Sequence, residues 1–193
     1  MRLIADDAEL RHALGGVPLT SWSGPLHRVV AGRYIKSLAS VRGSLLANNR
    51  YTQAGVCAAL YTSHYPELAL LEVMQGSAFS EAFPGATPAL HITFSVRVHL
   101  TALLDLMDAQ VQERLGTNLQ ELTGEWKAMN AAGREAPTQR LGRLAFESGR
   151  IEAIRYPSKI QPQRGNVLLF KDRLPFALFP AGLPASFPDQ DPL

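Results

Sequence analysis

In Pro66-Glu67-Leu68-Ala69-Leu70-Leu71-Glu72-Val73-Met74, Glu72 is the one charge among six apolar neighbours running from Leu68 to Met74. The stretch reads as a helix, and a helix that is apolar all round is a buried one. A carboxylate there is unfavourable unless something pairs with it, which marks Glu72 as a candidate catalytic group. Arg28 is a second misplaced charge, set in Leu26-His27-Arg28-Val29-Val30 with His27 and Val29 facing the other way on a strand. As a strand-edge side chain it would face water; beside Glu72 or a ligand phosphate it would balance a charge. Ser158, in Tyr156-Pro157-Ser158-Lys159-Ile160, follows a proline as turn serines do. Its loop joins two strand-like segments, however, and loops held by a rigid sheet are well placed to touch a ligand. Arg50, Tyr51 and Tyr61 add a cation and aromatic faces able to stack a planar ring, with ordinary tyrosine packing as the plainer reading.

One acid beside Arg, Ser and Tyr suits cleavage of an N-glycosidic bond whose leaving group is already cationic. Such a bond needs no general acid. It needs a carboxylate for the ribose hydroxyls and the oxocarbenium-like transition state, a cation for pyrophosphate, and an aromatic platform. Nicotinamide adenine dinucleotide (NAD) fits that description. No G-x-G-x-x-G occurs, which disfavours a Rossmann-type hydride-transfer enzyme. Paired carboxylates for ordinary glycosidase work are not evident either. Cys57 is the single cysteine, in an apolar setting, and the five histidines form no H-x-x-x-H or H-E-x-x-H spacing. No metal is expected.

The elements that must position these groups belong to one α+β domain built from short strands with flanking helices. With 193 residues, 46% hydrophobic and 19% charged, the chain has the length for one well-filled core. Strands are expected over 26–30, 58–62, 90–98, 151–156 and 166–170. Helices are expected after Asp6 or Asp7, over 66–76, 103–115 and 124–132, and over 139–150. Residues 31–49 read as a loop, and 77–89 as another, with Pro84, Gly85 and Pro88. The core spans about 25–175, and 176–193 is an irregular, proline-rich tail. No apolar run approaches the roughly 20 residues of a membrane span, and a cytoplasmic protein without membrane attachment is expected. A net charge of +2 is too small for a nucleic-acid footprint. Residues 134–173 carry seven Arg and two Lys against four carboxylates, either a solvated basic face or a surface for a phosphate or an acidic partner.

The ordered set of segments resembles the RES-domain family, the toxins of RES–Xre toxin–antitoxin modules. Leu26-His27-Arg28-Val29 is similar to the family's opening arginine strand, and Asn49-Arg50-Tyr51-Thr52-Gln53-Ala54-Gly55 to its G-R-W-N-x-x-G loop. Leu60-Tyr61-Thr62-Ser63 and the Glu72 helix resemble its Y-x-(S/A) strand and A-x-x-E helix. Pro157-Ser158-Lys159 and Gly165-Asn166-Val167-Leu168-Leu169-Phe170 resemble its closing segments. Tyr51-Thr52 and Lys159-Ile160 depart from the usual Trp-Asn and Ala-Arg. The resemblance implies a fold like that of ADP-ribosyltransferase toxins, with NAD bound as substrate and cleaved at the nicotinamide–ribose bond. It assigns Arg28 and Arg50 to phosphates or the nicotinamide ribose, and Tyr51 to the NAD-binding set. Tyr61 then stacks near nicotinamide, Glu72 stabilises the ribosyl cation with Arg28 as its catalytic companion, and Ser158 binds the nicotinamide end. It also implies an Xre-type antitoxin over the cleft and a homodimer. The alternatives are an ADP-ribosyltransferase acting on a protein, and a non-catalytic module whose basic stretch binds an acidic partner. Glu72→Ala is expected to abolish turnover and leave the fold intact or more stable.

Overall fold

Alternation with period two in the segment from His91 onward builds the longest strand among the described residues. A computed structural model of the chain describes residues 2–38, 40–76 and 90–174. Its strands are β1 (Thr20–Ala31), β2 (Ala59–Ser63), β3 (His91–Asp105), β4 (Ala153–Pro157) and β5 (Gly165–Phe170). They close into a barrel in the order β1-β2-β5-β4-β3. β1 and β3 pair antiparallel in unbroken register from Trp22↔Leu100 to Ala31↔His91 apart from a shift near Thr20, and β3 and β4 run parallel, with Leu103 opposite Ala153.

Side chains from all five strands, among them Leu26, Leu60, Val96, Ala153 and Leu169, meet in one buried cluster inside the barrel. The opposite face of β2, β5 and β4 presents Ala59, Leu168, Phe170 and Ile154 to a second cluster. Helices complete that cluster, chiefly α1 (Asp7–Gly16) through Leu10 and Leu14, and α7 (Pro137–Glu147) through Leu141 and Leu144. Between β1 and β2 lie a 3-10 turn (Gly32–Ser37) and α2 (Arg42–Leu46); α3 (Pro66–Gly76) follows β2, and α4 (Ala109–Arg114), α5 (Leu119–Leu122) and α6 (Trp126–Ala131) precede α7. No helix among the described residues is long and apolar enough to cross a membrane.

The mixed helix-and-sheet composition agrees with the sequence reading, and Asp6 caps α1 by accepting from the Glu9 N–H at 2.8 Å. Three expectations need correction. The strands are not uniformly short, because β1 begins at Thr20 and β3 runs to Asp105. Ser21, Ser23 and Pro25 of β1 face solvent, so no apolar alternation announced that half of the strand. Leu103 and Leu104 are strand, not helix, since their ladder with β4 outweighs leucine's helical propensity, and helix resumes only after the Asp108 cap. The 31–49 stretch contains a 3-10 turn and a short helix rather than a plain loop. The expected loop over 77–89 and the tail over 176–193 lie outside the described residues.

Candidate active site

Glu72 sits on the face of α3 that its neighbour one turn earlier, the fully buried Leu68, turns to the barrel. Ser63 accepts the Tyr65 N–H ahead of the first turn, and Pro66 opens the helix, so α3 leaves β2 at a fixed angle. The helix is not buried all round: Leu70 and Met74 are exposed. Glu72 is half-buried and is held by neutral donors. The Ser158 hydroxyl donates to Oε1 at 2.6 Å, and the Asn166 amide donates to the same oxygen at 2.7 Å. Ser158 Oγ accepts in turn from the Ile160 and Gln161 N–H groups, at 3.1 and 3.2 Å. Its single proton is thereby aimed at Glu72. Among the described residues both bonds to Glu72 fall on Oε1.

This arrangement reverses the expected stability of Glu72→Ala. Ser158 is 0% and Asn166 5% exposed. Losing their shared acceptor strands two buried donors, at about 1–3 kcal/mol each.

Glu72 lines a cleft of about 700 Å³ with Arg28, Arg50 and Tyr61, a volume suited to a nucleotide-sized ligand. Arg28 does not pair with Glu72, nor does it stand at a water-facing strand edge. It lies opposite Phe94 in the β1–β3 ladder, half-buried, and its one hydrogen bond among the described residues runs to the Ser40 carbonyl at 3.1 Å. Burial brings its guanidinium down to about 10, still charged at neutral pH. Arg50 likewise donates to carbonyls, those of Leu122 at 3.2 Å and Gly124 at 2.8 Å.

The loop carrying Arg50 is fixed by close packing. Gly142 of α7 lies so near Tyr51 that a Cβ there would overlap its carbonyl oxygen. Gln139 donates to the Asn49 carbonyl at 2.9 Å. The Tyr51 ring is fully buried against Tyr156, 4.5 Å between centroids, and lies in the core instead of the cleft wall. Tyr61 does line the cleft; its hydroxyl accepts the Tyr51 N–H at 3.2 Å. Burial raises the Tyr61 and Tyr156 phenols, so both stay protonated. Ser158 lies behind Glu72, outside the lining.

Among the cleft residues not singled out as site residues in the sequence are His27, Trp126, Lys159 and Asn166. Asn166 carried a signal, being the one amide at the head of the apolar run Val167-Leu168-Leu169-Phe170. Lys159 pairs with Glu125 at the rim, and that partner holds the Glu125 carboxyl below its usual range. Among the described residues no three His, Cys, Asp or Glu side chains gather as metal ligands would.

The basic stretch over 134–173 is partly neutralised. Arg143 pairs with Glu135, Asp7 and Glu147, Arg155 with Asp105, and Arg164 with Glu67. Arg150 and Arg173 donate to backbone carbonyls. These cations tie segments together instead of forming an open basic face.

No curated protein sequence matches this chain at a significant level. Among solved structures, a chain of the M. tuberculosis MbcT–MbcA toxin–antitoxin complex is similar in fold, with a TM-score of 0.66 and 16% identity. The match covers 83% of this chain and 81% of that one. A family model described as the RES domain matches residues 25–185. That span takes in β1 from Pro25 onward, the other four strands whole, and Arg28, Arg50, Glu72, Ser158 and Asn166, and on this ground the chain belongs to the RES-domain family.

Proposed function

We propose that this RES-domain protein is the toxin of a toxin–antitoxin pair, and that it consumes NAD by breaking the nicotinamide–ribose bond. The observation that carries the reading is the Glu72 carboxylate, fixed through Oε1 by Ser158 and Asn166 in a cleft that also holds Arg28 and Arg50. The nicotinamide nitrogen of NAD is a pyridinium cation. It departs with the bonding electron pair as a neutral molecule and requires no proton. Positive charge then gathers on the ribose C1′ and ring oxygen, where a preoriented carboxylate is most effective. With Oε1 occupied by protein donors, Oε2 is the atom for the ribose hydroxyls and the developing cation.

Arg28 and Arg50 supply charge for the pyrophosphate because carbonyls, not carboxylates, hold them. The neutral Tyr61 and Tyr156 rings give an uncharged wall for the nicotinamide. Ser158 acts in this scheme as a positioning residue, and Tyr51 supports the Arg50 loop from the core. Kinship of the barrel with ADP-ribosyltransferase toxins, an Xre-type antitoxin over the cleft, and a homodimer belong to the same proposal. Support for the antitoxin is that the similar solved chain comes from a toxin–antitoxin complex.

Incubation of purified protein with NAD labelled in its ADP-ribose half tests the reading. Release of nicotinamide with the label in small molecules is expected. Label retained on a protein band would assign the activity to protein ADP-ribosylation, and undiminished NAD would overturn the proposal.

A further inference from the structure

His27, Ser63, Asn166 and Tyr156 stand in one lateral row across the barrel. Ser95 of β3 is opposite His27 of β1, His27 is opposite Ser63 of β2, Ser63 is opposite Asn166 of β5, and Asn166 is opposite Tyr156 of β4. Directly opposed residues share a face, and all but Ser95 line the cleft. Neighbouring strands are about 4.8 Å apart, which puts His27 two strands, about 10 Å, from the Asn166 that grips Glu72. A ribose at Glu72 would lie between the two.

The His27 ring is oriented by Ser95, whose Oγ is 2.8 Å from Nδ1. With Nδ1–H donating to Ser95, Nε2 keeps its lone pair. Burial holds the imidazole below its ordinary range, and the Glu67 carboxylate of α3 works against that shift. Arg28 on the same strand and His64 beyond β2 are the cationic and titratable neighbours.

Other proton acceptors in the cleft are already committed. Glu72 is clamped for the ribose, Glu125 is paired with Lys159, and the Tyr61 and Tyr156 phenols stay protonated. Arg28, Arg50 and Lys127 are cations. We infer that His27 is a further catalytic residue, the general base that deprotonates an oxygen acceptor as it attacks the ribosyl cation. The inference rests on the NAD-cleaving reading above. In the step, nicotinamide leaves with the C1′–N electron pair, an acceptor O–H forms the new C1′–O bond, and its proton moves to His27 Nε2.

The experiment compares wild type, His27→Ala and His27→Asn, the last retaining a donor toward Ser95, with and without sodium azide. Azide attacks C1′ without a proton to lose. Both variants should lose about 100-fold or more in kcat with water as acceptor, keep the NAD dissociation constant, and regain turnover with azide as azido-ADP-ribose. Wild-type kcat in both variants would overturn the inference, and so would a loss that azide does not restore while NAD still binds. Absence of NAD cleavage in the wild type is the separate result that removes the underlying reading.

Discussion

Glu72, Arg28 and Arg50 of the cleft and the charges of the α7 region are held in opposite ways, with the rim pair Lys159–Glu125 resembling the latter. Arg143 of α7 is bracketed by three carboxylates, at 3.0 Å from Glu135, 3.2 Å from Asp7 and 3.5 Å from Glu147. The hydrogen bonds that Arg143 donates to Glu135 and Asp7 raise its guanidinium further above an already high value. In the cleft, Arg28 and Arg50 rest on backbone carbonyls, and Glu72 on a hydroxyl and an amide. Paired charges neutralise one another and serve the fold. A charge fixed by neutral dipoles keeps its field for a ligand, at some expense of stability.

The largest break in this contrast should come from Arg28→Met. Turnover of NAD should fall by about 10²–10³-fold, while the melting temperature stays level or rises, because a half-buried cation without a carboxylate partner among the described residues is gone. Parallel kinetics and thermal melts check both halves, and a marked drop in melting temperature would place Arg28 with the structural arginines. Next come Ser158→Ala and Asn166→Ala. Each removes one hydrogen bond to a charged group, worth about 1.5–3 kcal/mol, so steady-state rates should fall about tenfold to a hundredfold.

Arg143→Ala should do the reverse of Arg28→Met. Its partners are partly exposed, so the loss is about 1 kcal/mol, or about 2–4 °C in melting temperature, with unchanged NAD turnover. The smallest effect belongs to the exposed Glu67–Arg164 pair. Glu67 is held below the ordinary carboxylate range by its own backbone N–H and by Arg164. Its contribution is therefore present above the ordinary carboxylate pKa and lost as pH falls through the lowered one. Melts of wild type and Arg164→Ala should differ slightly at neutral pH and converge in acid.

The residues that reveal themselves in the sequence are those that violate a local pattern. Glu72 and Arg28 are charges inside apolar runs, and both line the cleft. Ser158 was visible as a loop residue between strands, but its task, aiming a proton at Glu72, depends on backbone N–H groups that no side-chain pattern reports. Tyr51 misled because a tyrosine beside a cleft arginine looks like a platform; the Gly142 approach that turns it into the core is a contact across 91 positions of sequence. His27 was hidden for a related reason. Its row with Ser63 and Asn166 exists only once β1, β2 and β5 are in register. Strand type was readable in the middle of each strand. It failed for Thr20–Pro25, where solvent exposure leaves no apolar alternation, and for His99–Asp105, whose last three residues are fixed as strand by parallel pairing with β4.

The central claim is that Glu72 is a preoriented charge whose work is chemical. Replacing it by glutamine removes the charge and keeps an acceptor oxygen for Ser158 and Asn166, so the fold should be spared where alanine would strand both donors. Nicotinamide release from NAD by Glu72→Gln, measured beside its thermal melt, is the direct test. The account predicts a melt close to wild type and turnover reduced by about 100-fold or more. Wild-type nicotinamide release from a folded Glu72→Gln protein would contradict it.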